Sequence, residues 1–388
     1  MPTNWAGLTI ANLSSAHQLP FLQDIINNPI ETRVIQGVAG SGKTLVAAFA
    51  VGELARIQNC ELLVFTNLLK QYILQNFSDR ATIEDKINHF HHYRYNALPQ
   101  RSLYIIDEAQ DFEEKWIDNI KNNSRAQIWI GDEQQKIYEQ AAPFKDLINT
   151  IAAAQKYYFP VNYRSSLINA QLALNFITLS DDELNNGISI EQKNYEFLNP
   201  MLMANRNRAN ERPVLLIKAT NEKEEFDAIA KKIIDIQGNQ MIGSKRIAIA
   251  HMTHPFLDQI CIELKDRGIK FYRKEREFNH NELPNFSDDN LIVVSPIHSL
   301  KGLEFDYVFF PRSERANDYE DEGIRNNLLF VLFTRAKEGI FVSHLNEDMC
   351  YVWNQIKDQI SLDYIEKINA SDILAANQDD NATLTHGY

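Results

Sequence analysis

The sequence predicts an α/β protein of two domains, each a mostly parallel sheet flanked by helices. Three observations carry that reading. Short apolar runs recur along the chain with amphipathic stretches between most of them, the alternation expected when helices join the strands of a sheet. A glycine-rich stretch, GVAGSGKT at residues 37–44, stands directly behind one apolar run and ahead of a helix-forming one. The length, 388 residues with 44% hydrophobic and 10% aromatic, suffices for two ordinary domains with buried cores.

Taken in order, RVIQG is the first buried strand of the set, and TLVAAFAVGELARI behind the glycines is a helix. ELLVFT, SLYIIDE and QIWIGD follow as three further strands. A boundary near Pro160 fits, because YYFPVNYRSS follows the first strand set and precedes a second. That second set is VLLIKA, RIAIAH, NLIVVS, YVFF and GIFVSH. After VLLIKA, the stretch NEKEEFDAIAKKIIDI places Phe226, Ile229, Ile233 and Ile234 on one helical face, with Asn221 as its N-cap. The expected domains are therefore 1–160 and 161–370, with residues 371–388, ending in the polar NQDDNATLTHGY, as a flexible tail.

The glycine stretch has the spacing of a P-loop in its required context of strand, tight turn and helix start. Gly37, Gly40 and Gly42 permit backbone angles and a close approach that a Cβ would block, so the N–H groups around Ser41 can point at phosphate oxygens. Lys43 supplies positive charge for the β- and γ-phosphates, and Thr44 a hydroxyl for Mg²⁺. LYIIDEAQDF sets Asp107 and Glu108 at the end of an apolar strand, where carboxylates face a ligand at the sheet's C-terminal edge. Asp107 is placed to hold Mg²⁺ and Glu108 to orient an attacking water as general base.

Composition narrows the rest. Cys60, Cys261 and Cys350 lie far apart, with no disulfide framework and no zinc spacing. No apolar run is long enough to span a bilayer and the first residues lack a signal-peptide layout, so a cytoplasmic protein without a membrane partner is expected. A formal charge of −13 excludes a globally basic surface but leaves room for a local basic channel.

In chain order come GVAGSGKT, VFTN, IIDEAQ, IGDEQQKIY, NYRSS, HSLKGLEF and FVLFTRAK. The series resembles superfamily 1 helicases of the UvrD/Rep/PcrA type, from the P-loop to Lys337. The resemblance implies two RecA-like domains with ATP and Mg²⁺ in the cleft between them and a strand gripped across their top, with 3′ to 5′ travel. It implies that Gln135 senses the γ-phosphate, that Arg164 and Arg335 reach it as guanidiniums, that Tyr163 stacks on adenine and that Glu304 contacts the ribose. Gln23 in LPFLQ is the candidate for reading the adenine edge, with Gln18 as the alternative. Thr66, Asn67, His89, Phe90, Tyr138 and His298 are the matching candidates for contact with single-stranded DNA or RNA.

The chain also departs from that family. Only Leu68 to Leu103 and Arg273 to Asn290 are available where larger relatives carry inserted domains, which makes this a core-only member. Leu45 stands where relatives carry arginine, and Gln140 and Ala141 stand where they carry a base-stacking tryptophan and then an arginine. Pro296 replaces an expected threonine. NHFHHYRYN gathers histidines without carboxylate or thiolate neighbours, and neither KFYRKER nor NRNRANER is assigned a role. The expected function is an ATP-driven translocase or helicase on single strand. The rival is an ATP-controlled switch acting through a protein partner, such as a nuclease or regulatory subunit in DNA repair or phage defence.

Overall fold

A computed structural model describes residues 4–5, 7–94, 96–138, 140–142, 144–151, 155–177, 213–238, 245–273, 284–358 and 362–376. NRNRANER, the last residues of KFYRKER and residues 377–388 of the expected tail lie outside them. The chain divides into two compact units, and the first takes the chain up to Tyr163 together with Lys301–Leu303. Arg164 opens the second, which also contains the chain from Glu304 onward.

In the first unit a short antiparallel pair, β1 (Asn4–Trp5) and β2 (Leu8–Thr9), precedes the main sheet. That sheet contains β3 (Arg33–Gly37), β4 (Cys60–Val64), β5 (Ile87–His89), β6 (Arg101–Ile106), β7 (Ser124–Gly131) and β8 (Gln155–Phe159). Its order is β5-β4-β6-β7-β3-β8 and every pairing is parallel. The inner strands are apolar on both faces because helices cover both sides of a parallel sheet. On one face Val34, Leu63, Tyr104, Ile106 and Trp129 pack with Phe65, Phe90 and Phe112.

The second unit has β9 (Val214–Lys218), β10 (Ile247–His251), β11 (Ile292–Pro296), β12 (Phe305–Phe310), β13 (Ala336–His344) and β14 (Ile365–Asn369). They run in the order β11-β10-β12-β13-β9-β14, again all parallel. Alternate residues Leu215 and Ile217, Ile247 and Ile249, Ile292 and Val294, and Tyr307 and Phe309 present one apolar face. The helices Glu222–Gly238 and His254–Asp266 bury Phe226, Ile229, Ile233, Phe256 and Leu257 against it. Asn221 caps the first of these, accepting from the Glu224 N–H at 3.0 Å. Ile234 does not share the buried face. It is 50% exposed, because one residue beyond Ile233 is about 100° around the helix.

All nine expected strands are present, within both sheets. Three that the sequence did not reveal, β5, β8 and β14, are edge strands whose residues INH, QKYYF and IEKIN form no apolar run. An edge strand keeps one side toward solvent and tolerates polar residues that an inner strand rejects. The helix Ala370–Ala375 occupies the start of the segment expected as tail.

Candidate nucleotide site

In the first unit β3 delivers the chain into the loop at residues 37–42, and the helix Lys43–Leu54 leaves it. Gly40 and Gly42 have φ of +74° and +82°, the left-handed region that glycine adopts without strain. Gly37 is required for a different reason: a Cβ there would lie 2.8 Å from both Phe159 Cβ and Ser41 Oγ. The Lys43 ammonium is buried and donates to the carbonyls of Gly37 at 2.7 Å and Val38 at 3.0 Å. Ser41 Oγ is buried with no hydrogen-bond partner. An orphaned hydroxyl costs desolvation energy unless something completes it, and this one sits in a glycine cradle at a helix N-terminus.

β6 brings the acidic pair to the same edge. The Thr44 hydroxyl donates to Asp107 Oδ2 at 2.6 Å, joining the loop to the end of β6. Burial, and then the neighbouring Glu108 carboxylate, push the Asp107 pKa well above the usual carboxylate range. A site that raises the pKa of its carboxylates in this way favours a cation beside them. Glu108 has φ of 57°, uncommon for a residue with a Cβ, and its Oε2 accepts from Gln110 Nε2 at 2.7 Å. Gln110 in turn accepts from the Asp132 N–H at 3.1 Å, and Gln135 Nε2 donates to Asp132 Oδ2 at 2.7 Å. Lys43 Nζ lies 3.9 Å from that same Asp132 oxygen. The residues present thus fit a nucleotide with Mg²⁺: a Cβ-free cradle, an orphaned hydroxyl, an ammonium, and a hydroxyl paired with a carboxylate.

Of the two candidates for reading the base, Gln18 is the one that contacts the loop. Gln23 is exposed, whereas Gln18 is buried and its Nε2 donates to the Ser41 carbonyl of the loop at 2.8 Å. Gln18 Oε1 accepts from the Ser14 N–H at 2.9 Å, which fixes the orientation of the amide. Tyr163 stands beside the loop with its N–H on the Gly40 carbonyl at 3.0 Å and its side chain 46% exposed. Gln110, which the sequence reading passed over, is recognisable only as part of the DEAQ run around Glu108.

Arg164, Glu304 and Arg335 belong to the second unit. Glu304 accepts from Arg164 Nε at 3.2 Å and from Lys337 at 2.5 Å. Burial opposes its ionisation, yet Lys337 and Arg164 hold its pKa down to about 2. Arg335 is buried, with Nε donating to the Val331 carbonyl at 3.1 Å.

The candidates for strand contact in the first unit gather around Phe65, and His298 belongs to the second unit. In the first unit Thr66 Oγ1 accepts from the Leu69 N–H and caps the helix Asn67–Asn76. Phe90 stacks on Phe65 with ring centroids 5.6 Å apart, Tyr138 lies 5.0 Å from Phe65, and His89 ends β5. In the second unit His298 lies 6.1 Å from the His254 ring. Among the described residues no helix is long and apolar enough to cross a membrane.

No curated protein matches the chain. Among solved structures, the C-terminal domain of a possible DNA helicase from Lactobacillus plantarum WCFS1 is similar at 16% identity and a TM-score of 0.35. That likeness covers 53% of this chain and 99% of the other, and a score so low adds nothing to the assignment. The model of the UvrD-like helicase C-terminal domain matches residues 291–343, which span β11 to most of β13. The model of the Schlafen group 3 DNA/RNA helicase domain matches residues 31–310, well over half the chain and including the glycine loop and the acidic pair of the first unit. The chain is therefore a helicase-like protein and belongs to the family of Schlafen group 3 DNA/RNA helicase domains.

Proposed function

We propose that the chain is a nucleic-acid-stimulated ATPase that couples hydrolysis to movement along single-stranded DNA or RNA, in the 3′ to 5′ direction. The observation that carries this reading is the hydrogen bond between the Thr44 hydroxyl and Asp107 Oδ2 inside the glycine cradle. Those two oxygens are the protein's share of a Mg²⁺ site, and Mg²⁺ commonly takes its other ligands from phosphate and water. When bound, the ion neutralises charge on the β- and γ-phosphates.

The chain's own groups do the rest. Lys43 exchanges its two loop carbonyls for phosphate oxygens, and Ser41 Oγ gains the partner it lacks. Glu108, with Oε2 held by Gln110, orients the attacking water and takes its proton. Gln135 senses the γ-phosphate. Arg164 and Arg335 stabilise the charge that spreads over the transferred group, a task suited to a planar guanidinium. Each must first release its present partner, Glu304 for Arg164 and the Val331 carbonyl for Arg335. Tyr163 and Gln18 take the base and Glu304 the ribose. Thr66, Asn67, His89, Phe90, Tyr138 and His298 form the strand path.

A second reading, an ATP-controlled switch acting through a protein partner, is favoured by one feature. Thr66 spends its hydroxyl oxygen on a helix cap, and Phe90 is buried among Phe65, Phe112 and Trp116, so two candidates for strand contact serve packing. Steady-state ATP hydrolysis, measured alone and with saturating single-stranded DNA or RNA, separates the readings. Stimulation of tenfold or more by either polymer is the expected result. A rate indifferent to both would sink the motor reading in favour of the switch.

A further inference from the structure

The KGLEF segment contributes Lys301–Leu303 to the first unit, and the site described above uses none of them. Lys301 is 1% exposed. Its ammonium pairs with the buried Asp111 carboxylate, donates to the Gln135 carbonyl at 2.6 Å and lies 3.5 Å from Glu108 Oε2. An ammonium has three N–H donors, and here three acceptors surround it. Two of them belong to the groups on which hydrolysis depends: the carboxylate assigned as base and the backbone of the γ-phosphate sensor. The next residue, Gly302, has φ of +80°, and a Cβ on it would lie 2.4 Å from Leu69 Cδ2. The segment therefore lies close against the unit, with no room for a side chain beside the lysine.

We propose that Lys301 is a positioning residue for ATP hydrolysis, fixing Glu108 relative to Gln135 by tying the loop after β6 to the loop after β7. The inference rests on the reading of Glu108 as general base. Gln110 donates to Glu108 Oε2 at 2.7 Å and the Lys301 ammonium lies 3.5 Å from the same oxygen, so that oxygen is held between a hydrogen bond and a positive charge. The Gln135 side chain is held at Asp132 and its carbonyl at Lys301, so the sensor is fixed at both ends. Misplacing a catalytic group by about 1 Å costs on the order of a hundredfold in rate, which is the size of effect such a tie protects. The bland rival is a buried ion pair that merely stabilises the fold.

Removing one partner of a buried pair leaves an uncompensated charge, so Lys301→Met alone is expected to lower the melting temperature as well as the rate. The decisive variant is Lys301→Met with Asp111→Asn, which removes both charges. Its melting temperature is expected to return close to that of the unaltered protein, and its affinity for a fluorescent ATP analogue to stay within about threefold. Its kcat is expected to fall by about tenfold to a hundredfold with little change in KM. Asp111→Asn alone keeps the lysine and is expected to retain most of the turnover. A double variant that hydrolyses at the unaltered rate would overturn the proposal and leave Lys301 as a structural ion pair. Absence of turnover in the unaltered protein would instead sink the reading of the whole site, and this inference with it.

Discussion

The two sheets have the same strand order, each strand of the second standing six places later in the chain than its counterpart in the first. Their C-terminal edges have opposite chemistry. Behind β3 comes a glycine loop with an orphaned serine hydroxyl and a helix start free of acidic residues. Behind β9 come Ala219, Thr220 and Asn221, then a helix whose first turn carries Glu222, Glu224 and Glu225. Those carboxylates occupy the favourable end of the helix dipole that the first unit leaves for phosphate. The correspondence extends to backbone detail. Among the described residues only Glu108 and Arg312 are non-glycine residues with positive φ, and each stands two places after the matching strand, β6 or β12. Glu108 faces an edge built for a ligand. Arg312 is occupied by Glu222, Glu225 and Glu314 of its own chain. A repeated fold thus holds one site built for a ligand and one filled by its own side chains, which is why function has to be argued from the edge and not from the sheet.

The largest effect expected from this asymmetry comes from the paired positions themselves. Glu108→Gln is expected to reduce ATP turnover by about 10²- to 10⁴-fold with the fold intact. Arg312→Gln is expected to leave turnover per folded molecule unchanged while costing about 3–5 kcal/mol of stability, since buried carboxylates lose their cation. Turnover assays paired with denaturant melts check both, and a large catalytic loss in the Arg312 variant would break the comparison.

A smaller effect concerns acid. β4 ends in Val64, but β10 ends in His251, packed between Phe256 and Phe310 with ring centroids 4.6 Å and 5.6 Å away. Burial pushes its pKa down to about 4 from 6.5. The unfolded chain therefore takes up the proton first as pH falls. Stability of the second unit is expected to drop from about pH 6.5 and the loss to be complete near pH 4, up to about 3 kcal/mol. Denaturant melts across that window should show the slope, and His251→Leu should flatten it. An unchanged slope in the variant would move the acid sensitivity elsewhere.

The smallest effect marks how far the open edge extends. Gln18→Ala is expected to weaken ATP-analogue binding severalfold, while Gln23→Ala leaves it unchanged. Loss in the Gln23 variant alone would assign the base to Gln23 instead.

The inner strands and the phosphate loop were legible because each is a local pattern: an apolar run, or glycines spaced around a lysine. What escaped depends on partners remote in sequence or on which side of an element faces inward. Gln18 and Gln23 lie five residues apart on one helix, about 140° around its axis, and only packing decides which side meets the loop. The edge strands β8 and β14 have no periodic signal because neither of their faces is consistently buried. Lys301 reads as one more cation in a polar segment until its partner Asp111, 190 residues earlier, is brought beside it.

That separation has a consequence in time. During synthesis the glycine loop and both carboxylates of the DEAQ run leave the ribosome long before Lys301 is made. At roughly 5–20 residues per second, the interval between Asp111 and Lys301 is on the order of 10–40 s. For that period the loop carrying Glu108 exists without the ammonium that joins it to Gln135. A nascent chain would then withhold its full rate of nucleotide consumption until Lys301 had been translated.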